Sequence, residues 1–69
     1  MDIGGTIKAL EKRRKELELE AESLKEQLDR GEITKEEYNR RMKELKREFI
    51  EVMDRLTQLK FIAGELFTS

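Results

Sequence analysis

Apolar residues recur along the chain in two runs, each with the three-four alternation of a coiled-coil seam. The first run is Ile7, Leu10, Leu17, Ala21, Leu24 and Leu28; Arg14 fills its one gap, and Ile3 extends it backwards by one step. The second runs from Tyr38 through Met42, Leu45, Phe49, Val52, Leu56 and Leu59 to Ala63 and Leu66 without a break. The pattern predicts an all-α chain: a long antiparallel two-helix hairpin forming a single unit over residues 1–69. Helix one is expected over about 6–29, with Thr6 as its N-cap after the flexible Gly4-Gly5 pair. The turn is expected at 30–34 and helix two over about 35–66, a length of roughly 45 Å at 1.5 Å per residue.

Three local signals agree on the turn. Gly31 stands where a helix end favours a residue that tolerates positive φ. Thr34-Lys35-Glu36-Glu37 has the capping-box pattern, in which the Thr hydroxyl accepts from the Glu37 amide and the Glu37 carboxylate returns to the Thr34 amide. Ile33 before the cap and Tyr38 after it are placed to close a hydrophobic staple.

A short loop makes the helices antiparallel. Setting Leu28 across from Tyr38 brings Leu24 to Met42, Ala21 to Leu45, Leu17 to Phe49, Leu10 to Leu56 and Ile7 to Leu59. Small residues then face large ones, as interdigitating layers require. Arg14 is the exception, opposite Val52. It is expected to snorkel to Glu48, Glu51 or a carboxylate of a second chain, where it would set register. The same alignment puts Lys12 and Lys15 near Asp54 and Glu51, Glu20 near Lys46 and Arg47, and Glu26 near Arg40 and Arg41.

Composition changes this picture in one respect. A core built from 69 residues, with no Cys to staple it, is marginal without metal or oligomerisation. Leu19, Ile50, Met53, Phe61, Ile62, Leu66 and Phe67 are apolar, yet Leu66 alone among them lies on the seam. A homo-oligomer is therefore expected, a dimer forming a four-helix bundle. Ile50, Met53, Phe61, Ile62, Leu66 and Phe67 are its expected contact with the second copy or with another protein. Charged residues make up 45% of the chain, and the excess of Glu, Lys and Arg with no Cys or His also fits a heat-adapted protein.

The chemistry is sparse. Without His or Cys the commonest general base and the commonest zinc ligands are missing, and no enzymatic activity, cofactor or metal is expected. Gly4-Gly5 is not followed by the Gly-Lys-Thr of a phosphate loop. A net charge of −1 selects neither nucleic acid nor anionic lipid in bulk. The run Lys12-Arg13-Arg14-Lys15 is a possible anion contact, which keeps a nucleic-acid-associated role as an alternative. Glu11 and Glu16 flank it, however, and a solvated, paired face is the favoured reading. The apolar end around Phe61, Ile62, Leu66 and Phe67 leaves a membrane-surface role as a further alternative. The spacing Lys60, Ala63, Leu66, Phe67 is also that of a sliding-clamp box, but Lys replaces its Gln and the central residue is only Ala. No run is long enough to span a bilayer and no secretion signal is read, so a cytoplasmic location is expected.

The stretch from Leu28 through Gly31-Glu32-Ile33-Thr34, the acids Glu36 and Glu37, Tyr38 and on to Lys43-Glu44-Leu45 resembles the short C-terminal domain family, SHOCT. The resemblance covers about 18 residues and implies a small helical hairpin associated with oligomerisation or protein contact, with no catalytic residues to carry over. Both helices here are expected to run well past the family's pattern.

Overall fold

The computed structural model describes residues 2–64. It contains two helices, α1 (Ile3–Asp29) and α2 (Lys35–Ile62), packed antiparallel, and no strand among the described residues. The hairpin extends 46 × 25 × 15 Å.

α1 begins earlier than the sequence pattern suggests. Its N-cap is Asp2, not Thr6: an Asp2 carboxylate oxygen accepts from the Gly5 amide at 3.1 Å, and the Thr6 amide and hydroxyl both donate to the Asp2 carbonyl. An aspartate cap satisfies a free amide of the first turn and outweighs the two glycines inside it. Gly5 also makes room for that cap, because a Cβ there would lie 2.6 Å from an Asp2 carboxylate oxygen.

The turn is a full Schellman motif. Arg30 is the C-cap of α1, Gly31 follows at φ +74, the Glu32 amide donates to the Gln27 carbonyl at 2.9 Å, and the Gly31 amide donates to that of Leu28 at 3.0 Å. Thr34 then caps α2, its hydroxyl accepting from the Glu37 amide at 3.1 Å. Only this half of the capping box forms. The Glu37 carboxylate turns instead to Arg41 at 2.9 Å and Arg40 at 3.9 Å, one turn further on. A cationic partner on the same helix competes with a backbone amide for the same oxygen. Ile33 and Tyr38, the expected staple pair, are both half-buried.

α2 stops at Ile62. Ala63 is its C-cap and Gly64 has φ +80, with the Gly64 amide donating to the Phe61 carbonyl. The helix thus closes before the position 66 suggested by the heptad pattern, because a left-handed residue cannot continue an α-helix. Leu66 and Phe67 lie outside the described residues.

The core lies in the half of the hairpin away from the turn. Ile7, Leu17, Val52 and Leu56 are buried together, and Ile3, Leu10, Leu45, Phe49, Met53 and Leu59 pack against them. Leu17 is 2% exposed and Leu56 3%. Full burial of such a side chain is worth about 1.5–3 kcal/mol. Leu17, Ala21, Met42, Leu45 and Phe49 line one crevice, the juxtaposition that the facing of Leu17 with Phe49 and Ala21 with Leu45 requires.

Candidate interaction surface

With five apolar side chains buried among the described residues, much of each helix is left in water. Three large apolar side chains of α2 stand out: Ile50, Phe61 and Ile62, 61%, 57% and 65% exposed. On α1, Leu19 is 56% exposed. At 100° per residue Ile50 and Phe61 lie in line on the face turned away from the seam, whereas Ile62 lies to one side. Phe61 and Ile62 form a shallow apolar surface with Thr57 and Gln58 near the end of α2.

Met53 does not share this surface fully. Expected at the contact with a partner, it is half-buried and packs on the hairpin's own core. It sits between the seam and the outer face of α2, so its flexible chain can reach inward and fill the irregular edge of the core.

The expected anion contact is divided by the fold. Lys12 and Lys15 are exposed and make no ion pair among the described residues. Arg13 turns across to α2. Its guanidinium donates through Nε to a Glu48 carboxylate oxygen at 3.1 Å, and through Nη2 to both Glu48 oxygens at 2.9 and 2.8 Å. Glu16 and Glu20 lie 3.9 and 3.6 Å from its other terminal nitrogen. The hydrogen bonds from Arg13 hold the Glu48 carboxyl below its ordinary range despite partial desolvation, and the same contact raises the guanidinium further. With its charge answered by three carboxylates, Arg13 has little left for a phosphate.

Within the chain this contact falls to Arg13 and not to Arg14. Arg14 is half-buried on the seam and reaches none of Glu48, Glu51 or any other carboxylate among the described residues. Its neighbour Arg13 makes the contact because it sits at the flank of the seam, where a long side chain passes over the packed layer instead of through it. The flank positions beside each a and d residue carry the signal that would have found the pair. The other ion pair between helices, Glu11 with Lys60 at 3.9 Å, also joins flank positions. The charges that the alignment sets near one another make no ion pair with each other among the described residues: Glu20 goes to Arg13, and Glu26 to Arg30 on its own helix.

An open groove runs beside the clamp, walled by Glu20, Glu44, Glu48 and Arg41 over Leu24 and Leu45. No group of three metal-ligating side chains converges among the described residues. None of the described helices is long and apolar enough to cross a membrane.

No curated protein and no solved structure matches the chain. The local architecture does have a counterpart: the Schellman turn, the Thr34 cap and the helix ends on either side of them all fall within residues 22–46, and that segment matches the family model of SHOCT, the short C-terminal domain.

Proposed function

We propose that this chain is a non-enzymatic, oligomerising protein–protein interaction module, an adaptor that docks a partner through the apolar end of α2. The observation that carries the reading is the exposure of Ile50, Phe61 and Ile62 on a chain whose core buries five apolar side chains among the described residues. Contiguous exposed apolar patches rimmed by polar residues mark contact surfaces, and Phe61 and Ile62 form such a patch beside Thr57 and Gln58.

Sedimentation equilibrium at micromolar concentration tests the oligomer, with an expected mass of at least twice the 8.2 kDa of the chain. A single species of monomer mass removes that part of the proposal. The docking part is tested by capture from native extract with the wild type and with Phe61→Ser, Ile62→Ser. A partner retained equally by both places the docking site elsewhere.

A further inference from the structure

The two outer faces, those turned away from the seam, each carry a second heptad pattern, and the two patterns are complementary. On α1 the exposed residues Lys8, Lys12, Lys15, Leu19, Glu22 and Glu26 follow one another at alternating steps of four and three. On α2, Lys43, Arg47, Ile50, Asp54, Thr57 and Phe61 do the same, again all exposed. Laid antiparallel with Leu19 against Ile50, Lys15 meets Asp54, Glu22 meets Arg47 and Glu26 meets Lys43. Lys12 then faces neutral Thr57, and the aliphatic stem of Lys8 lies over the ring of Phe61. No layer opposes like charges.

We infer that a second copy of this chain docks here, the outer face of its α1 lying antiparallel along the outer face of α2, with Leu19 on Ile50 at the centre and three charge pairs setting the register. The inference rests on the oligomer reading above and specifies its surface.

Five of the six paired charges, Lys15, Asp54, Glu22, Arg47 and Lys43, make no ion pair within the hairpin among the described residues. Glu26 makes one, with exposed Arg30 at 3.8 Å. These groups are thus available to a neighbour, in contrast to Arg13 and Glu48. The other arrangements are poorer. A parallel contact between the two faces brings Lys12 and Lys15 onto Lys43 and Arg47. Pairing α1 with α1 of a second copy also matches charges, but leaves Leu19 under Lys15 instead of under an apolar partner. The contact joins unlike faces, so each added copy presents the same two faces again. Association grows with concentration unless it closes into a ring. Exposed ion pairs are screened by salt, so the contact is strongest at low ionic strength.

The test is a charge exchange read by sedimentation velocity at low salt. One variant carries Lys15→Glu, Glu22→Lys and Glu26→Lys; the other carries Lys43→Glu, Arg47→Glu and Asp54→Lys. Each alone turns all three pairs into like-charge pairs and is expected to associate at least roughly tenfold more weakly than the wild type. An equal mixture restores opposite charges and is expected to associate as the wild type does. Circular dichroism establishes that each variant is helical, and Leu19→Lys, a single change at an exposed position, serves if either triple variant is not. It too is expected to weaken association. If any of these variants associates like the wild type, or the mixture fails to recover, this surface is wrong while the oligomer stands. If the wild type itself stays monomeric across the concentration range, both the surface and the oligomer reading fall.

Discussion

The two ends of the hairpin are held by different physics. At the turn Leu24 is buried but Leu28, Tyr38 and Met42 are only half-buried, and much of the order comes from the backbone: the Gly31 conformation, two Schellman hydrogen bonds and the Thr34 cap. At the open end the chain passes through no turn, and α1 and α2 stay together because Ile7, Leu17, Val52 and Leu56 are buried between them. The Arg13–Glu48 clamp flanks this core and crosses from one helix to the other. Local hydrogen bonding can specify a corner from a few adjacent residues, but only side-chain packing can join segments some forty residues apart.

The largest expected effect breaks the open end. Leu17→Ala removes the most deeply buried side chain and should cost about 2–5 kcal/mol, the range for buried Leu→Ala changes. Loss of cooperative unfolding in a urea titration is the expected readout, whereas a shift under 1 kcal/mol (roughly the cost at a site that collapses freely) would mean that the core does not hold this end. The turn should yield less. Gly31→Ala meets no neighbouring atom within 4 Å, so its cost is conformational alone, about 1–2 kcal/mol for a left-handed residue. A thermal melt unchanged by that substitution would contradict the positive φ. Thr34→Ala removes one capping bond and should cost ~1 kcal/mol, with Thr34→Ser close to wild type in the same melt.

The smallest effect concerns the clamp and depends on pH. The folded-state pKa of Glu48 is lowered, so the stability it contributes is fully present above the ordinary carboxylate pKa and is lost as pH falls through the lowered value. Glu48→Gln should therefore be slightly less stable than the wild type near neutral pH, and the two denaturation midpoints should converge in acid. A gap that persists at acid pH would assign the difference to packing instead of charge. High salt should narrow the neutral-pH gap, because both partners are partly exposed.

Much of the architecture was legible in the residues. The uninterrupted series from Tyr38 to Leu59 specifies α2, and Gly31 with Thr34 specifies the corner, because each of these signals acts within one or two helical turns. Asp2 is hard to read as a cap because Gly4-Gly5 looks like a break, although an aspartate three residues before an amide is an ordinary N-terminal signal. The heptad pattern continues across Gly64 and so does not mark the end of α2.

The sequence alone therefore determined the helices, their antiparallel course and the facing of Leu17 with Phe49, because periodicity and capping are properties of neighbouring residues. Only the tertiary structure decided which charge crosses between the helices. Arg13 and Arg14 are adjacent and chemically identical; the heptad pattern places Arg14 on the seam and Arg13 at its flank, but only the packing of α1 on α2 brings the Arg13 guanidinium within 2.8 Å of Glu48. The same packing leaves Leu19 and Ile50 exposed.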